Sequence, residues 1–131
     1  MVLLEIKGTV ITGYGKGAYF LSQEFYKNKF NQQCGFIPFP GTLNITVTEK
    51  YLEDIKKLKK NCTNIIKAKK GFGSVKYIES TLNNDITGAI VFPDKTSHEE
   101  NYLEFIAKDN LRKKFNLKDG DFAVITINIE K

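Results

Sequence analysis

The chain has 131 residues, 41% hydrophobic and 27% charged, with 10 Phe, 6 Tyr, 10 Gly, 3 Pro and 2 Cys. That length fits one domain, residues 1–131, around one core, and so much aromatic surface excludes disorder along the body of the chain. The balance of 20 Lys+Arg against 15 Asp+Glu gives +5, which admits a polyanionic partner, but only Arg112 among the basic residues has the side chain that forks onto phosphates and guanine edges.

The first predicted element is a strand: Leu4, Ile6 and Val10 share one face with Gly8 between them, and Glu5, Lys7 and Thr9 share the other. It ends in Gly13-Tyr14-Gly15-Lys16-Gly17, after which Ser22 is placed to cap a short helix reaching about Phe30, with Leu21 and Tyr26 as a hydrophobic staple. Gly35 to Pro40 is a turn-rich link. Leu43, Ile45 and Val47 then alternate with Thr42, Asn44 and Thr46, a strand with an unusually clean polar side. Thr48 is a candidate cap for a helix in which Tyr51, Leu52, Ile55 and Leu58 form an apolar stripe, its lysines facing water. The pattern blurs from Asn61 to Ser74, where Lys69 to Gly73 reads as a loop or hairpin tip.

Val75 to Leu82 and Ile86 to Phe92 read as strands around a turn at Asn83-Asn84-Asp85, and Pro93 ends the second. A polar loop, Asp94 to Glu100, leads to the apolar stretch Tyr102 to Ala107. Asp109 is a candidate cap for a short helix carrying Leu111 and Phe115. Asp119-Gly120-Asp121 is a turn, and Ala123, Ile125, Ile127 and Ile129 mark one face of a last strand. Five or six strands with a few short helices in a chain this size point to a mainly β fold, a small barrel. No apolar run approaches the roughly 20 residues of a membrane span. Glu5 and Lys7 interrupt the apolar start before a signal-peptide core can form, so a soluble cytoplasmic protein is expected. Cys34 and Cys62 lack CxxC spacing and His partners, and are expected to be free thiols.

Three places carry candidate chemistry. Glycines at 13, 15 and 17 let backbone N–H groups turn toward phosphate oxygens, and Lys16 adds a point charge; a plain hairpin turn is the competing reading. Thr42 and Asn44 stand two apart on a strand and point the same way, a hydroxyl and an amide oxygen able to converge on a hard cation such as Mg²⁺, unless this is simply a solvent-facing edge. Glu104 lies inside Tyr102-Leu103-Glu104-Phe105-Ile106, where a carboxylate needs a partner, a ligand or solvent on its own face. Thr96 and His98 are polar residues beside these apolar segments, and a lone His is usually structural or on the surface. A small basic barrel that engages nucleic acid is the rival reading. The near absence of Arg and of an aromatic stacking motif speaks against it, and no specific nucleic-acid partner is expected.

In this order the pieces resemble the archaeal CTP-dependent riboflavin kinase family. The resemblance rests on Gly13-Tyr14-Gly15-Lys16-Gly17-Ala18-Tyr19-Phe20, on Gly35-Phe36 with Pro40-Gly41-Thr42-Leu43-Asn44, and on Gly88-Ala89-Ile90-Val91. It continues with Pro93 to His98, Ala107 to Arg112, and Leu117-Lys118-Asp119-Gly120-Asp121. It implies a six-stranded cradle-loop (RIFT-like) barrel that moves the γ-phosphate of CTP onto the 5′-hydroxyl of riboflavin, giving FMN and CDP. It also implies that Gly13, Tyr14, Gly15, Lys16, Gly17, Ala18 and Tyr19, with Asp109, Asn110, Leu111 and Arg112, hold the nucleotide. Thr42 and Asn44 would bind one Mg²⁺ together with the nucleotide phosphates. Thr96 and Glu104 would contact the flavin, Glu104 being also the candidate that orients the attacking hydroxyl or accepts its proton. A monomer is expected, with riboflavin, FMN, CTP and CDP as its ligands and no membrane partner. The chain departs from the family pattern at Lys108, where a proline is frequent, and at Lys16, where an acidic residue is frequent.

Overall fold

A computed structural model describes residues 2–13, 21–67, 71, 73–93 and 101–129. Seven strands alternate with short helices: β1 (Leu3–Ile11), α1 (Glu24–Cys34), β2 (Leu43–Val47), a 3₁₀ turn (Glu49–Tyr51), α2 (Leu52–Asn61), β3 (Ile65–Ile66), β4 (Val75–Leu82), β5 (Ile86–Pro93), β6 (Tyr102–Ile106), α3 (Leu111–Lys114) and β7 (Phe122–Asn128). All pairings are antiparallel, in the order β3-β4-β5-β6-β2-β1-β7. The end of β4 pairs again with β7, Thr81 opposite Thr126 and Leu82 opposite Ile125, so six strands close into a ring. Among the described residues closure leaves no long open edge. The two-residue β3 adds to the far end of β4, in the stretch where alternation in the sequence blurs.

Alternation decides what fills the ring. Ile6 and Val10 of β1, Leu43, Ile45 and Val47 of β2, Ile90 of β5, Leu103 and Phe105 of β6, and Ala123, Ile125 and Ile127 of β7 form one buried cluster. Tyr51 and Ile55 join it, with Leu58 packed against it, as the apolar stripe over 51–58 requires. Each fully buried side chain of this size contributes about 1.5–3 kcal/mol relative to exposure.

A second core lies on the opposite face. Leu21, Tyr26 and Phe30 pack with Ile66, Val75, Tyr77, Ala89, Val91 and Ile106. Strands β4 to β6 are therefore covered on both faces, which is why Gly88 to Val91 is buried without a break.

Local signals are displaced by a residue or two from the sequence reading. Gln23, not Ser22, is the N-cap of α1, with the extended backbone (φ −78°, ψ 132°) that a cap adopts. The helix runs past Phe30 to Cys34, because the residue that stops it is Gly35, whose φ of 82° closes the last turn. Thr48 does sit at the N-cap of the 3₁₀ turn, without a side-chain cap bond. Ile129 lies beyond β7 and is exposed, so it does not join the face marked by Ala123, Ile125 and Ile127, and Phe115, expected on the short helix, is instead its exposed C-cap residue. Asn83 and Asn84 take positive φ at the β4–β5 turn, and Asn83 Oδ1 accepts from the Val124 amide at 2.9 Å, tying that turn to β7.

Cys34 and Cys62 are free and half-buried. Burial pushes the Cys34 thiol up to about 11, with a hydrogen bond to Tyr77 as the smaller, opposing effect. Since the thiolate is the reactive form, alkylation of Cys34 near pH 8 is expected to be up to about 100-fold slower in the folded protein than in the denatured chain. Mass spectrometry of the peptide carrying Cys34 measures this, and equal rates would contradict it. Among the described residues no helix is long and apolar enough to cross a membrane.

Candidate functional site

The polar side of β2 faces away from the barrel interior. Since Leu43, Ile45 and Val47 point inward, Thr42 and Asn44 must point out. The β2–β6 register puts Glu104 directly opposite Asn44, and the β5–β6 register puts Val91 on its other side. The three polar side chains meet. Thr42 Oγ1 donates to Asn44 Oδ1 at 3.1 Å and stands 3.4 Å from Glu104 Oε1. Glu104 is only 8% exposed, so the carboxylate that reads oddly in its apolar segment is shielded by the strands on either side of it.

Gly13 closes this cluster from the end of β1. A Cβ at that position would run into the Asn44 side-chain amide, with Cγ only 2.6 Å away. The absence of a side chain is what lets the root of the glycine loop lie against Asn44. Tyr14, Gly15, Lys16, Gly17, Ala18, Tyr19 and Phe20 lie outside the described residues, as do Thr96 and His98.

The segment 109–112 approaches the same strand end. Arg112 Nη2 donates to the Ile11 carbonyl at 2.7 Å and to Asp119 Oδ1 at 2.6 Å. Asp119 Oδ2 accepts from the Thr12 hydroxyl at 2.6 Å. The Thr12 hydroxyl bond, with the Arg112 guanidinium next in weight, holds the Asp119 carboxyl below the usual carboxylate range. Tyr102 Oη reaches the Thr12 carbonyl at 3.4 Å.

The remaining residues of that segment serve local structure. Asn110 rather than Asp109 caps α3, its side chain accepting from the Lys113 amide at 3.2 Å. Asp109 pairs instead with Lys114 Nζ at 3.0 Å. The Leu111 side chain is buried in the barrel core, so only its backbone is available to a ligand.

The structure thus gathers Thr42, Asn44, Glu104 and Gly13 in one place and sets Arg112 on the residue two before Gly13. Thr12, Tyr102 and Asp119 were missed as site residues. The sequence places Asp119 in an Asp-Gly-Asp turn within the Leu117–Asp121 motif, but nothing local singles it out from Asp121 or points it at Arg112.

The oxygen donors suit a small hard cation. Cis ligands of an octahedral ion bound at 2.0–2.1 Å lie about 3 Å from each other, and the Thr42 and Asn44 oxygens are 3.1 Å apart. Among the described residues there is no group of three or more His, Cys, Asp or Glu placed to hold a metal.

Comparison with known proteins agrees with the ordered motifs. A family model, CTP-dep_RFKase, described as "Domain of unknown function DUF120", matches residues 10–129. The chain belongs to the archaeal CTP-dependent riboflavin kinase family. It is 62% identical over 127 residues to a riboflavin kinase of Methanobrevibacter smithii, covering 97% of this chain and 99% of that one. It is 42% identical over 117 residues to a riboflavin kinase of Methanothermobacter thermautotrophicus, covering 89% and 93%. The riboflavin kinase of Saccharolobus solfataricus is 36% identical over 131 residues, covering 96% of this chain and 75% of its own. The family-model match takes in the whole stretch from Gly13 to Asp119.

Proposed function

We propose that the chain is a riboflavin kinase that uses CTP as phosphoryl donor. The observation that carries this reading is the convergence of Thr42, Asn44 and Glu104 beneath Gly13, at the strand end that Arg112 also grips. Phosphoryl transfer requires placement and charge neutralisation more than covalent help from the protein. A glycine loop, a pair of hard oxygen ligands and an adjacent carboxylate are the parts such a reaction uses.

In this reading the nucleotide phosphates lie between the glycine loop, residues 13–19, and the Thr42–Asn44 pair. Arg112, and the backbone of 109–111, hold the nucleotide from the side of α3. Thr42 and Asn44 would hold Mg²⁺, which supplies shielding of the phosphate charge. The riboflavin 5′-oxygen forms a bond to the γ-phosphorus as the bond from that phosphorus to the β-γ bridging oxygen breaks. The electron pair leaves with CDP, and FMN is formed. Glu104 orients the hydroxyl and accepts its proton, and Thr96 is assigned to the flavin side. A loose transition state makes strong base catalysis dispensable, so positioning is the larger part of the Glu104 role.

Incubation with riboflavin, Mg²⁺ and each of the four nucleoside triphosphates tests the reading. CTP is expected to give FMN much faster than ATP, GTP or UTP. Equal rates with ATP would remove the cytidine preference and leave a kinase, and no FMN with any donor would remove the kinase.

A further inference from the structure

Strand β1 ends in a knot of bonds that the phosphoryl-transfer reading does not by itself require. Asp119 spends one oxygen on Arg112 Nη2 and the other on the Thr12 hydroxyl, both at 2.6 Å. Arg112 spends the same nitrogen on the Ile11 carbonyl. Among the described residues its side-chain hydrogen bonds come from Nη2, which leaves Nε and Nη1 to meet a ligand oxygen. The turn bearing Asp119 is itself fastened to β1, since the Gly120 amide donates to the Val10 carbonyl and the Val10 amide to the Asp121 carbonyl, each at 2.8 Å.

We propose that Asp119 is a positioning residue for the nucleotide, locking the Arg112 fork and the root of the glycine loop into one fixed geometry through its two carboxylate oxygens. The proposal rests on the reading of residues 13–19 and 109–112 as the nucleotide site. An acidic side chain beside an anion site carries an electrostatic cost: by charge alone it repels the phosphates and partly neutralises the arginine that should attract them. Its presence is accounted for if the geometry it imposes outweighs that repulsion. A long arginine left to itself would lose rotamer freedom on each binding event, and Asp119 has removed that freedom beforehand.

Charge and geometry predict opposite signs, so binding of CDP to the Mg²⁺-loaded protein separates them. Asp119→Ala is expected to weaken CDP about tenfold, with riboflavin affinity and melting temperature near those of the parent, because an exposed ion pair contributes little to stability. Asp119→Asn, which keeps the shape and one acceptor oxygen, is expected to recover part of the loss. Adding Arg112→Ala to Asp119→Ala should then cost far less than Arg112→Ala costs alone, because the two act as a unit. Unchanged or tighter CDP binding in Asp119→Ala would overturn the proposal. So would a parallel loss of CDP and riboflavin with a lowered melting temperature, which marks a general structural role. A parent protein that binds riboflavin but no cytidine nucleotide would instead overturn the nucleotide-site reading, and the proposal with it.

Discussion

Asn44→Ala is expected to lower FMN formation by roughly 10²-fold or more while the barrel stays folded. The side chain lies on the outer face of β2, and its removal leaves the inward row of Leu43, Ile45 and Val47 intact. What it takes away is one of two oxygens 3.1 Å apart, and with it the fixed direction from which, in the proposed reading, a cation and the phosphates would be held. Thr42 would keep its proximity to Glu104 at 3.4 Å but lose its acceptor on Asn44. Because catalysis by placement tolerates little looseness, turnover should suffer far more than binding of riboflavin. Melting temperature, riboflavin affinity and FMN formation, measured on the same variant, check each part. Turnover near that of the parent would mean that the Thr42–Asn44 face is an ordinary strand surface.

Much of this site was legible in the sequence because the strand period is exact. Once Leu43, Ile45 and Val47 are inside, Thr42 and Asn44 have to share the other face, whatever the rest of the chain does. The same holds for Leu103 and Phe105 against Glu104. The pairing of Asn44 with Glu104 was not legible, since it depends on the register between strands some 60 residues apart, which no local pattern encodes. The second core was hidden for a related reason. An outer face of Ala89, Val91 and Ile106 becomes intelligible only when Tyr26 and Phe30 of α1 are seen against it. Caps were misplaced where two capping residues compete within a short stretch: Asn110 was favoured over Asp109 because Asp109 has Lys114 as its partner. The contacts of Arg112 with Ile11 and Asp119 belong to a third class, set by where a turn lands on a distant strand end.

Gly13→Ala is expected to approach the loss of Asn44→Ala without touching the proposed metal-ligand pair, Thr42 and Asn44, chemically. The added methyl would be driven into the Asn44 amide, which supplies all three of its nearest heavy atoms among the described residues. Because the obstacle is the end of a short polar side chain and not backbone, relief comes from rotation of Asn44 and costs the fold little. Rotation carries Oδ1 away from Thr42 Oγ1, so the two oxygens no longer converge. A displacement of about 1 Å in such a position is enough for a roughly 10²-fold loss of turnover. The discriminating measurement is the double variant. If Gly13→Ala acts by displacing Asn44, then in an Asn44→Ala background there is nothing left to displace, and the alanine at position 13 should add almost no further loss. Losses that multiply would show that Gly13 serves the loop independently, through backbone freedom at its root, and that its contact with Asn44 is incidental to the rate.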